Sequence, residues 1–88
     1  MESHALDLVL QQGSKELLLR SLEEGISDSE NRVLFFDGVH HFPFVLREIE
    51  PGASEGMYIL SGVADTLKRG RHRAQIEFLI AEGKGRFL

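Results

Sequence analysis

Residues 57–82 read MYILSGVADTLKRGRHRAQIEFLIAE, and the way this stretch turns back on itself decides the fold. Arg69-Gly70 lies between two runs rich in β-formers. Glycine reaches positive φ at no steric cost, so the pair predicts a two-residue primed turn. With that tip, Val63 faces Ile76, Ser61 faces Phe78 and Ile59 faces Ile80 on one side. Tyr58 faces Ala81, Leu60 faces Leu79 and Ala64 faces Gln75 on the other. The first side, with Met57, Ile59, Val63, Ile76, Phe78 and Ile80, is strongly apolar and predicts the core face. A slip of one residue would reverse it. Phe78→Ala is accordingly expected to cost about 3–5 kcal/mol. The second side mixes Tyr58, Leu60, Leu79 and Ala81 with Gln75 and Glu77, which is more apolar than a plainly solvated face.

Upstream, Asp37-Gly38 is a strong short hairpin signal between apolar runs. It predicts strands over 32–36 (RVLFF) and from Val39 to about Glu50, with Phe36 opposite Val39 and Val33 opposite Phe42. Phe42, Phe44 and Leu46 share a face. Pro43 cannot donate to a ladder, so the second strand is an edge there or carries a bulge. Pro51-Gly52 fits the two central places of a type II turn. Residues 51–56 form a loop that leaves the register of the second and third strands open.

Before the strands, Leu18, Leu19, Leu22 and Ile26 recur at helical spacing. Ser14 suits an N-cap with Glu16 in the first turn, and Gly25 suits a left-handed C-terminal position. Together with Ala5 to Leu10, which Ser3 would cap, this predicts helix over 3–24, kinked or split at Gly13. Residues 27–31 (SDSEN) read as a polar loop. At the other end, Gly83-Lys84-Gly85 reads as a turn and residues 86–88 as a short strand or tail. The expected fold is therefore α+β: one domain, residues 1–88, with an N-terminal helix packed on a four-stranded antiparallel meander.

The totals bound the function. Eighty-eight residues with 42% apolar content make one folded domain, which buries roughly 60–65% of its unfolded surface. Cysteine is absent, so disulfide and thiolate chemistry are excluded. No apolar run approaches the ~18 residues of a membrane span, and MESHALDLVL lacks the basic start of a secretory signal. A soluble, cytoplasmic protein with no membrane contact is expected. The net charge of −4 is split: residues 1–55 carry −7 and residues 56–88 carry +3. Such polarity steers a charged partner or favours head-to-tail contacts.

Two surfaces stand out. Lys68, Arg69, Arg71, His72 and Arg73 crowd the hairpin tip, where cations can grip phosphates or an acidic protein surface, or simply keep a loop soluble. No aromatic is interleaved for base stacking, and the chain is acidic overall, unlike most nucleic-acid binders. The second surface is the sheet face away from the helix, with Tyr58, Leu60, Leu79, Leu34 and Phe36. Contiguous exposed apolar side chains mark interfaces, here with a homodimer mate or a host protein.

Chemistry has weaker candidates. His40 and His41 are adjacent on a strand and point to opposite faces, so they cannot ligate one metal together. His4 and His72 have no partner at metal-ligand spacing. Asp37, His40, His41, Glu48 and Tyr58 are the titratable groups nearest apolar surroundings, but Asp37 is explained by its turn and Glu48 by strand exposure. Serines fall in turns and caps, and Gly83-Lys84-Gly85 is too short for a phosphate loop. No catalytic residue, metal or cofactor is assigned. The reading is a small non-catalytic interaction module: an inhibitor, adaptor or regulator of a larger protein, in the manner of antitoxins and phage-encoded (viral) regulators. The alternatives are nucleic-acid or phosphate-ligand binding through residues 68–73, and small-molecule binding between helix and sheet near Phe42, Phe44 and Phe78.

Overall fold

The computed structural model describes residues 5–9, 13–27 and 31–88. Six strands and one helix follow in order: β1 (Leu6–Leu8), α1 (Ser14–Glu24), β2 (Arg32–Phe36), β3 (His41–Pro51), β4 (Met57–Thr66), β5 (Gly70–Leu79) and β6 (Lys84–Phe87). Each strand pairs antiparallel with the next, and β6 pairs back onto β1, so the sheet closes into a barrel. This corrects the expected α+β fold of a helix on a four-stranded sheet. Closure leaves no second sheet face; there is an inside and an outside.

Three local readings account for the difference. The first is Leu6–Leu8, taken for helix. It alternates, with Leu6 and Leu8 buried and Asp7 half-exposed, and it lies between β2 and β6. Residues 3, 4 and 10–12 of that expected helix, Ser3 as its cap, and residues 28–30 of the polar loop lie outside the described residues. The second is residues 83–87, taken for a turn and tail. Phe87 pairs with Ile76 and Gly85 with Phe78, both on the inner side. A Cβ at Gly85 would lie 2.8 Å from the Glu77 carbonyl oxygen, so this glycine lets β6 approach closely enough to close the barrel.

The third is the 57–82 hairpin. Its turn is longer than two residues: the chain reverses over 67–69, Thr66 pairs with Gly70, and Gly70 adopts φ 66°. Relative to a two-residue turn at 69–70, the register moves by three. An odd shift turns one strand over against the other. β5 keeps its expected face, with Ile76 and Phe78 buried. β4 is inverted: Leu60 and Ala64 are buried while Ile59 and Val63 face outward. The interior explains why. Phe35, Phe42, Phe44 and Phe78 fill it, with Phe35 about 6 Å from each of the others. Small side chains must stand opposite such bulk in a narrow barrel. Gly62 and Ala64 supply them, and a Cβ at Gly62 would collide with the Val45 carbonyl and press on the Phe44 ring.

The β2–β3 hairpin also has a longer turn, spanning 37–40, in which Asp37 Oδ1 accepts from the N–H groups of Val39 (2.9 Å) and His40 (2.7 Å). Val33 pairs with Phe44 and Phe35 with Phe42, two places from the expected register. An even shift keeps the faces, so Phe42, Phe44 and Leu46 are buried together as expected. Pro43 stands one place before the β3–β4 ladder begins, where its missing donor costs nothing. Further along, Arg47 is the extra residue of a bulge between Leu46 and Glu48. Asn31 clasps it: its Nδ2 donates to the Leu46 carbonyl and its own carbonyl accepts from Leu46 N–H, both at 2.8 Å.

In a meander of this kind the 37–40 and 67–69 turns share one end of the barrel. The helix lies at the other, joining β1 to β2 and burying Leu17 and Leu18 in the core. Ser14 is not the cap. Gly13 holds that position without a side-chain bond, and Ser14 Oγ accepts from Leu34 N–H at 2.9 Å. Gly25 takes positive φ (90°) at the C-terminal end, but its ψ of 169° puts it outside the left-handed conformation expected there.

Candidate interaction surface

Strand alternation sorts the outer wall into rows. One row crosses four strands through direct pairs: Arg32 on β2, Val45 on β3, Val63 on β4 and Arg73 on β5. With strands ~4.8 Å apart, it spans about 15 Å. In the next row, Leu34 pairs with Pro43, and Asp65 with Arg71. Leu34, Pro43, Val45 and Val63 thus form one apolar field, each partly exposed. Arg32, Arg47, Arg71 and Arg73 stand around it and are exposed. No carboxylate among the described residues lies within salt-bridge distance of these four guanidiniums; the two ion pairs formed are Lys84–Asp7 and Arg86–Glu77, on β6. Beside Arg47 and Arg73 runs an open groove of about 780 Å³ along Glu48, Ser61 and Gln75.

The basic tip continues this wall to the barrel end. Lys68 and Arg69 occupy the turn itself, next to Leu67, which is 80% exposed. Arg71 and Arg73 follow on the outer side of β5. His72 points the other way: its Nδ1 is 2.9 Å from the Gly70 carbonyl and its ring 6.5 Å from that of Phe87. The residues singled out as an apolar sheet face are separated by the barrel. Leu60 is fully buried and Tyr58 packs against the core. Leu34 and Phe36 face outward on β2, and Leu79 faces outward on β5, across the closing strands β6 and β1 from them. The structure therefore unites Leu34 with Arg71 and Arg73, and sets Leu60 and Tyr58 apart.

Sequence reasoning missed Arg32, Arg47, Pro43 and Val63 as surface residues. Val63 went to the core face with the wrong register, and the position of Arg47 depends on the bulge. The signal that was present is the small pair Gly62 and Ala64 alternating with Leu60, which marks the other face of β4 as the one inside a tight barrel.

The titratable candidates do not converge. Asp37 serves its turn, His40 is exposed, and the His41 ring packs on Phe36 at 4.7 Å. Glu48 is exposed on the outer wall. His4 lies outside the described residues. Among the described residues no three His, Asp or Glu side chains gather to hold a metal. Between helix and barrel, Leu8, Leu18, Leu19 and Ile80 line a cavity of about 160 Å³, against the ~300–1,000 Å³ of ordinary ligand sites. No helix among the described residues is long and apolar enough to cross a membrane. Fold and surface together define a small closed barrel with an arginine-rimmed apolar wall. The chain matches no protein-family model, no curated protein and no solved structure.

Proposed function

We propose that this chain is a small non-catalytic cytoplasmic binding module, an adaptor, inhibitor or regulator that docks a larger acidic protein on the outer wall of β2–β5. The observation that carries this reading is the four-strand row Arg32–Val45–Val63–Arg73. Apolar side chains at the centre and guanidiniums at the rim are the arrangement of a protein–protein contact: the centre supplies desolvation energy, and the rim selects an acidic partner and speeds the encounter. Arginine is suited to this role because its planar fork engages carboxylates in pairs.

A second reading, nucleic-acid or phosphate binding by residues 68–73, is favoured by the exposure of four cations within six positions of the tip. One experiment addresses both. The tagged protein and its Val63→Glu and Arg69→Glu variants are used to capture partners from native lysate, with and without nuclease. A stoichiometric protein that survives nuclease and is lost on Val63→Glu supports the docking wall. Nucleic acid retained by Val63→Glu but lost on Arg69→Glu overturns it in favour of the tip.

A further inference from the structure

Val39 and Leu67 are the most exposed large apolar side chains among the described residues, at 74% and 80%. Each stands on a turn at the same end of the barrel, Val39 in 37–40 and Leu67 in 67–69. The second turn is carried on a two-stranded finger: β3 leaves β4 at the Phe44–Ala64 pair, whereas β4 and β5 stay paired out to Thr66–Gly70. Thr66 Oγ1 accepts from Arg69 N–H at 3.3 Å, which ties the turn together beneath Leu67. Lys68 and Arg69 follow in the turn and Arg71 stands behind them on β5, all exposed. Asp65 is the one acid between Ala64 and Arg73, and Asp37, beside Val39, accepts from the N–H groups of its own turn. The far end of the barrel has the opposite sign. There Glu16, Glu23 and Glu24 on α1, Glu55 in the 51–56 turn and Glu82 after β5 are exposed, outnumbering Lys15, Arg20 and Lys84. Charge therefore runs along the barrel from an acidic helix end to a basic, apolar-tipped turn end.

We infer that this end of the barrel docks on an anionic lipid surface, with Leu67 and Val39 seated among the acyl chains and Lys68, Arg69 and Arg71 on the lipid phosphates. The inference goes beyond the docking wall, which runs along the side of the barrel, so both surfaces can be engaged at once. The order of side chains matches the layers of a bilayer: an aliphatic apex leads, and cations stand one step behind it at headgroup depth. Surface binding of this kind grows with the apolar area inserted and with attraction to anionic lipid. The uneven charge turns the basic end towards such a surface before contact. No helix among the described residues is long and apolar enough to cross a membrane, and adsorption at a tip needs none. Other occupants fit less of what is there. A nucleic-acid backbone would engage the cations but leave Leu67 in water, and residues 65–71 offer no aromatic face for a base. A second copy meeting tip to tip would set cations against cations. A folded protein would need a preformed pocket for each projecting side chain, whereas acyl chains yield around both.

The test is co-sedimentation of the full chain with vesicles of phosphatidylcholine alone or with about 30% phosphatidylserine. Saturable binding to the anionic vesicles is expected, at least tenfold stronger than to the neutral ones and weakened by salt. Leu67→Ser keeps every charge and removes the apex; it is expected to bind at least fivefold more weakly. Lys68→Ala with Arg69→Ala keeps the apex and is expected to lose at least tenfold. All these side chains are exposed, and circular dichroism confirms that the variants fold. The chain has no tryptophan, so Leu67→Trp supplies a single reporter, whose emission is expected to shift to the blue and to be quenched by lipids brominated on the acyl chain. Equal binding to neutral and anionic vesicles overturns the anionic surface. Anionic binding that Leu67→Ser leaves unchanged, with no quenching in Leu67→Trp, overturns insertion of the apex. Absence of co-sedimentation at millimolar lipid overturns the lipid surface altogether, and an oligonucleotide that then binds the parent but not Arg69→Glu names nucleic acid as the occupant of the tip.

Discussion

Leu60 on β4 and Ile76 on β5 lie directly opposite one another, and both are fully buried. This one pair fixes the inside of the barrel. It sends Ile59 and Val63 to the outer wall and makes Val63 the neighbour of Arg73.

The first prediction tests that pairing. Leu60→Ala is expected to destabilise by about 2–5 kcal/mol, because it opens a cavity in a closed core. Ile59→Ala, on the outer wall, is expected to cost under about 1 kcal/mol. Urea denaturation of both variants checks the order; the reverse order would place the wrong face of β4 inside.

Phe35 is the hub of the aromatic core, fully buried and near 6 Å from Phe42, Phe44 and Phe78. Phe35→Ala is expected to lose about 3–5 kcal/mol, enough to leave a domain of ~5–15 kcal/mol marginal. Thermal melting followed by near-ultraviolet circular dichroism measures it.

Gly62→Ala is expected to destabilise by at least ~1–3 kcal/mol, since the added methyl has no room beside the Val45 carbonyl and Phe44. Gly70→Asn is the contrast: the space is open, and asparagine tolerates the left-handed region. A shift of the denaturation midpoint in the first variant and little in the second is the expected pattern.

Asn31→Ala strips the Leu46 carbonyl of its side-chain donor beside the bulge, in a buried position. The expected cost is about 1–3 kcal/mol. Hydrogen exchange should quicken around residues 45–48, because the bulge has lost its clasp; unchanged protection there would argue against that role.

Lys84 and Asp7 join β6 to β1 through a 2.8 Å hydrogen bond on the outer seam. The hydrogen bond to the Asp7 carboxylate and its charge raise the Lys84 pKa above the usual lysine value. A raised pKa means the bound proton favours the folded state. The contribution is therefore full below the ordinary lysine range and is lost as pH rises through the folded value. NMR titration of Lys84 is expected to fall to a lower midpoint in Asp7→Asn. Both groups are exposed, so the effect on stability at neutral pH is expected to be small.

Several features were legible in the residues themselves. Asp37-Gly38 and Arg69-Gly70 marked two hairpins, though both turns are longer than two residues, the shared face of Phe42, Phe44 and Leu46 follows from period two, and Pro43 marked a place where the strand is an edge or bulged. The leucines of residues 14–24 gave the helix, and the clustered cations gave the tip. What could not be read was which side of β4 goes inside. Its odd face, with Ile59 and Val63, is the more apolar, and a two-layer fold would bury it. A closed barrel reverses the choice because its interior is finite: four phenylalanines from β2, β3 and β5 leave room opposite them for Gly62 and Ala64, not for a second row of branched side chains. Closure itself rests on two short strands, Leu6–Leu8 and Lys84–Phe87, that are 77 positions apart at Asp7 and Lys84. Local pattern cannot pair segments so distant. Only the completed sheet brings them together, and with them the outer wall on which Arg32, Val45, Val63 and Arg73 become neighbours.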